Sequence, residues 1–187
     1  MPSSYRRSFL GACSTALGVG LAGCTGRFTS STRTDAASGA AASAGDQLAL
    51  PSAVSRNGLP DGDVVLKPDG KVVLLNFFTT WCRPCQEEMP AFRRLRAEYD
   101  TETFHMVSIT PEVDEKLIRK FWTEYEGTWP VVTDPSLVAT DRWDANSYPT
   151  NLVFDADGTP ASGDDPEVRA RSFEEFKSVV DPLVAEA

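Results

Sequence analysis

Cys82 and Cys85 stand three positions apart in Trp81-Cys82-Arg83-Pro84-Cys85, and two thiols at that spacing across a helix start can close a small disulfide ring. The first turn of a helix carries backbone N–H groups with no partner inside the helix, so a sulfur placed there is favoured as thiolate. Pro84 suits such a turn. Cys82 is then the thiol at the helix start, with the charge of Arg83 beside it, and Cys85 sits one turn inside, more buried and held as a thiol. The chemistry this pattern supports is exchange. Cys82 thiolate attacks a disulfide, a mixed disulfide forms, and Cys85 resolves it; run backwards, the same steps oxidise a dithiol. Arg83-Pro84 does not fix the direction.

Other chemistries need residues that this chain places elsewhere or lacks. A zinc site takes about four ligands, usually Cys and His together. Here there is one cysteine pair and a single His105, which falls between Phe104 and Met106 in an expected strand and reads as a hydrogen-bonded structural residue. No metal and no cofactor is expected. A peroxiredoxin would carry Thr ahead of its peroxidatic Cys, and Thr79 stands there, but Leu75 replaces that family's Pro. Copper chaperones of the Sco type space their cysteines one residue further apart.

The 187 residues suffice for one domain of ordinary size and a tail. A net charge of -9, with 27 acidic and 18 basic side chains, argues against nucleic acid as a partner. Acid spread along the chain with Lys scarce resembles proteins of very salty environments, the alternative being an ordinary acidic protein. No apolar run is long enough for a usual transmembrane helix. The N-terminus instead reads as an export signal over residues 1–23: Arg6-Arg7 with Phe9-Leu10 resembles the twin-arginine signal, although Tyr5 stands where Ser or Thr is usual. Leu21-Ala22-Gly23-Cys24 resembles a lipobox, which implies lipidation of Cys24 and an extracytoplasmic, lipid-anchored protein; the alternative is an ordinary signal peptide whose Cys is incidental. Residues 24–55 are expected as lipidated Cys and flexible linker, being rich in Ala, Ser, Gly and Thr. With Cys13 removed and Cys24 used for lipid, Cys82 and Cys85 are each other's only partner.

Residues 56–187 must build the frame around the pair. Strands alternate with helices, which points to an α/β sheet flanked by helices. Lys71–Phe78 is a continuous apolar run suited to a central strand, leading straight into Trp81-Cys82. Met89, Phe92, Leu95 and Tyr99 share one face of the following helix, which Pro90 is expected to kink. Thr103–Thr110 reads as the next strand, and Asp114 caps a helix whose Leu117, Ile118, Phe121, Trp122 and Tyr125 form a buried stripe. Trp129–Thr133 is a short strand, Asp134-Pro135 opens a short helix, and Thr150–Phe154 is a strand ending near Asp157-Gly158. Ser172 and Glu175 make a capping box for a closing helix that presents Phe173, Phe176, Val180 and Leu183.

The stretch from Gly70 through Leu74-Leu75-Asn76-Phe77-Phe78-Thr79-Thr80-Trp81-Cys82-Arg83-Pro84-Cys85 to Glu88-Met89-Pro90 resembles the active-site segment of the TlpA and ResA type of membrane-anchored thioredoxin-like proteins. The likeness runs on, less tightly, to about residue 184 and includes Tyr148-Pro149-Thr150. It implies a thioredoxin fold, a central mixed β-sheet flanked by helices. It further implies Cys82 as nucleophile, Cys85 as resolving thiol, Pro149 as a cis-proline facing them, and Trp81 and Tyr148 as substrate contacts. Glu88 matches that family's acidic residue near the pair. One helical turn beyond Cys85, its carboxyl could exchange protons with the thiol, the alternative being a solvated helix-face acid. Asn76 stands where cytoplasmic thioredoxins carry a buried Asp, a departure that favours the extracytoplasmic branch. The resemblance implies a monomeric thiol-disulfide oxidoreductase that reduces disulfides of exported proteins, serving cytochrome c maturation, with a membrane electron donor or acceptor. A thiol oxidase and a non-catalytic binding domain are the alternatives, though binding domains commonly lose one of the two cysteines.

Overall fold

Four strands of unequal burial make the frame, and the most buried of them lies at its middle. The computed structural model describes residues 47–55 and 59–187; the expected signal segment, Cys24 and most of the expected linker lie outside the described residues. The elements are β1 (Ala49–Pro51), β2 (Asp63–Val65), β3 (Val72–Phe77), α1 (Arg83–Glu98), β4 (Phe104–Thr110), α2 (Glu115–Glu124), β5 (Val131–Thr133), α3 (Val138–Arg142), β6 (Thr150–Phe154) and α4 (Phe173–Glu186). The main sheet has the order β5-β4-β3-β6, with β3 parallel to β4, β4 parallel to β5, and β6 antiparallel to β3. All six residues of β3 are buried, as the apolar run predicts for a strand covered on both faces. Among the described residues no helix is long and apolar enough to cross a membrane.

Alternation along the strands divides the core in two. Val72, Leu74, Met106 and Val153 face a layer formed by Met89, Phe92 and Leu95 of α1, Ile118, Phe121 and Trp122 of α2, and Phe176 and Val180 of α4. Phe92 contacts both Trp129 and Phe176, with ring centroids at 6.0 and 5.2 Å, so strand edge and closing helix meet on α1. The opposite residues, Val73, Leu75, Val107 and Leu152, pack against Leu50, Val64 and Leu66 of the hairpin region and Ala139 of α3.

Local signals explain most boundaries. Asp114 caps α2 by accepting from the N–H groups of Lys116 and Leu117, and the Ser172–Glu175 capping box opens α4. Asp134 acts over a longer reach than expected: α3 begins only at Val138, and the buried carboxylate accepts from Val138 N, Thr140 N and Thr140 Oγ1 at 2.7, 2.9 and 3.0 Å. Pro90 lies within α1 with its ring exposed, and the helix continues past it. Leu117 is exposed and Tyr125 half-buried; with Ile118, Phe121 and Trp122 at the centre of the apolar stripe, Leu117 falls about 100° to its side.

The boundary expected at residue 56 falls too late. Ala49–Pro51 pairs antiparallel with Asp63–Val65, and Leu50, Ala53 and Val54 are buried. The composition of the Ala- and Ser-rich stretch before them hides a short strand whose partner, β2, lies further along the chain. The chain then runs along β5, where Ser52 bridges Val132 and Ala53 N donates to Val131 O at 2.8 Å. At the other edge, Val153 N donates to Pro166 O and Val168 N to Asn151 O, at 2.9 and 2.8 Å. Both edges of the main sheet are therefore partly covered.

Candidate active site

Cys82 is the N-cap of α1, with φ -77° and ψ 108°, and its Sγ accepts from Cys85 N at 3.2 Å. This is the favourable placement for a thiolate that the CxxC spacing predicts, since a free helical N–H points at the sulfur. Cys82 and Cys85 are joined in a disulfide, their Cα atoms 5.3 Å apart. Both are buried, so exposure does not distinguish them; Cys82 stands at the helix start and Cys85 inside its first turn. Trp81 beside them is 72 % exposed. Arg83 points away into solvent and pairs with Glu87, Nε to Oε1 at 3.0 Å. Its charge is therefore shared with a carboxylate and screened by water, which weakens the part expected of it at Cys82.

The loop before the pair is held from two directions. Thr80 N and Thr80 Oγ1 donate to Glu112 at 2.8 and 2.7 Å, and the Thr80 carbonyl accepts from Gln86 Nε2 at 2.8 Å. Glu112 also accepts from Thr110 Oγ1 at 3.1 Å. Beside this loop a groove of about 310 Å³ opens between Trp81 and the side chains of Leu117, Phe121 and Tyr125. The Tyr148–Pro149 bond is cis. Thr150 pairs with Phe77, so Pro149 leaves the sheet at the end from which Thr79–Cys82 departs. Tyr148 is half-buried; burial raises its phenol, with further contributions from the negative charges of Asp134 and Glu112.

Glu88 is not a solvated helix-face acid, for it is only 1 % exposed. Its carboxylate accepts from Asn151 Nδ2 at 3.3 and 3.2 Å, and Arg171 Nη1 lies 3.1 Å from Oε1. Burial raises its pKa to about 7, while the Asn151 hydrogen bond and the Arg171 charge and hydrogen bond hold it from going higher. A carboxyl poised there, one turn from Cys85, can take or return a proton near neutral pH. His105 is a structural histidine whose Nε2 lies 3.0 Å from Val65 O, and burial is the main influence lowering its pKa.

Asn151, Arg171, Glu112 and Gln86 were not singled out from sequence. A polar residue in each of three apolar strands, Asn76, Ser108 and Asn151, was a visible signal for part of this set. Glu112 follows the C-terminal end of β4, the end at which open α/β sheets build their sites. Arg171 carries no signal beyond adjoining the α4 capping box.

The Redoxin family matches residues 44–164. The chain is 42 % identical over 91 residues to thioredoxin-like protein YneN of Bacillus subtilis, covering 48 % of this chain and 53 % of that protein. It is 27 % identical over 114 residues to thiol-disulfide oxidoreductase ResA of Halalkalibacterium halodurans, covering 61 % of this chain and 65 % of that one. The chain thus spans about half to two thirds of the length of these relatives. Among solved structures, a secreted Mycobacterium tuberculosis disulfide oxidoreductase homologous to E. coli DsbE superposes with a TM-score of 0.58 at 21 % identity, over 73 % of this chain and 96 % of that one. A thiol-disulfide oxidoreductase from Bacteroides fragilis gives 0.58 at 19 %, over 74 % and 97 %. These structural likenesses show a shared fold.

Proposed function

The chain belongs to the Redoxin family and has the thioredoxin-like α/β fold, and from that premise we propose that it is a thiol-disulfide oxidoreductase reducing protein disulfides through Cys82 and Cys85. The observation that carries this reading is Cys82 as the N-cap of α1, its sulfur accepting the Cys85 N–H. Cys82 thiolate attacks one sulfur of a substrate disulfide, forming a mixed disulfide and releasing the other sulfur as thiolate. Cys85 then gives its proton to the Glu88 carboxylate and attacks Cys82 Sγ, displacing the second substrate sulfur. Two electrons have passed to the substrate, and the protein is left with the Cys82–Cys85 disulfide. Trp81 and the groove beside it, with the Tyr148–Pro149 turn, receive the substrate polypeptide.

On this reading the substrates are disulfides of exported proteins, with cytochrome c maturation as the process the TlpA and ResA likeness suggests. The protein works as a monomer outside the cytoplasm, held to the membrane through a lipid on Cys24, and a membrane partner restores the dithiol. Alkylation trapping in cells tests the direction. A pair resting reduced, with Cys82→Ala abolishing turnover of a model disulfide and Cys85→Ala accumulating the mixed disulfide, supports reduction; a pair resting oxidised in cells overturns it in favour of an oxidase.

A further inference from the structure

Strand register sets Ser108 opposite Asn76, and Asn76 opposite Asn151, so three polar side chains cross the sheet at one level. They lie on the face that carries α1, and each is buried together with Trp129 and Glu88 at the two ends. Trp129 Nε1 donates to Ser108 Oγ at 2.9 Å, Ser108 Oγ donates to Asn76 Oδ1 at 3.1 Å, and Asn76 Nδ2 donates to Asn151 Oδ1 at 2.9 Å. Asn151 Nδ2 then reaches both oxygens of Glu88.

An indole N–H can only donate, whereas a hydroxyl and an amide can do either. With Trp129 donating at one end, Ser108 has its proton free for Asn76, and each amide in turn is oriented with its NH2 group toward Glu88. Buried as the row is, reversing one amide would leave two acceptors facing each other, which is costly. We propose that Trp129 and Ser108 are positioning residues that fix the direction of this hydrogen-bond row, so that Asn151 always presents a donor to Glu88 and favours its ionised form. Its bearing on exchange rests on Glu88 as the proton partner of Cys85; the wiring itself does not.

Two groups from outside α1 meet the Glu88 carboxylate, Asn151 from β6 and the charged Arg171 from the segment leading into α4, and Cys85 precedes it by one helical turn on α1 itself. Arg171 acts whichever way Asn151 points. The row is therefore the part of this environment that a distant substitution can reverse. If Asn151 turned its carbonyl to Glu88, only a protonated carboxyl could satisfy it, and the proton would be held to higher pH.

The test is a carbon-detected NMR titration of the Glu88 carboxyl in the oxidised protein, its signal identified with Glu88→Gln. Ser108→Ala and Trp129→Phe should each move the midpoint upward by about one pH unit, the size expected for loss of a hydrogen bond to a charged group. Trp143→Phe, an indole on the other face of the sheet, should leave it in place. Ser108→Ala, which removes one atom, decides the matter if Trp129→Phe loosens the aromatic layer. Midpoints unmoved in the folded variants overturn the proposal. A midpoint that moves without a matching shift in the pH profile of disulfide reduction supports the wiring and removes Glu88 from the exchange step instead.

Discussion

Taking the Glu88 carboxyl out of water beside one guanidinium and one amide has a thermodynamic consequence separate from catalysis. Its pKa is raised from 4.5 to about 7, with burial the largest cause, so the folded protein binds a proton that the unfolded chain has released across that interval. Stability contributed by this group is therefore full below pH 4.5 and falls as pH rises toward 7, by a total of about 3 kcal/mol. Denaturant midpoints of the oxidised protein, compared at about pH 5 and 8, should show wild type losing more stability than Glu88→Gln, whose amide does not titrate. Parallel profiles for the two proteins would exclude a strongly shifted Glu88. Salt should change the relative exchange rates of wild type and Arg83→Gln little, because the guanidinium is already paired with Glu87 and lies in solvent.

At the scale of elements, the start of α4 holds more than a helix end. Glu175 accepts from the backbone N–H groups of Arg171 and Ser172, at 2.8 and 3.0 Å, while Ser172 Oγ caps Glu175 N. The same turn thus fixes the residue whose guanidinium reaches Glu88. Ser172→Ala should cost about 1 kcal/mol of stability and also raise the Glu88 midpoint by loosening Arg171; a normal urea midpoint would count against the capping role. Such couplings mark where sequence reading stops. The run Lys71–Phe78, the Asp114 cap and the Ser172–Glu175 box are local patterns, and each element appears where its pattern stands. Cys82 at a helix start was legible for the same reason. The Asn76–Asn151 contact spans 75 residues and depends on the register of an antiparallel pair, and the Thr80–Glu112 contact spans 32. Neither spacing has a repeat to reveal it. Strand β1 was hidden because a three-residue strand has too little alternation to stand out from the Ala- and Ser-rich sequence before it.

Across the whole molecule, a net charge of -9 opposes compaction through self-repulsion. Ion pairs such as Arg94–Glu174 and Lys177–Glu98 lie at the surface and contribute little each. Screening the general repulsion should therefore outweigh screening the pairs, and the thermal midpoint should rise as sodium chloride is taken from about 0.1 to 2 M. A midpoint that falls over that range would mean that the pairs dominate and would remove the basis for a salt-adapted surface. The covered edges of the main sheet matter at this scale too. On the proposed role the protein meets exported chains as clients, and a chain that is not yet folded readily adds as a further strand to an open sheet. Here the segment after β1 occupies the free side of β5, and the residues before α4 occupy that of β6. A client engaged at its sulfur is thus offered less open sheet edge to pair with, which favours its leaving once the exchange is done.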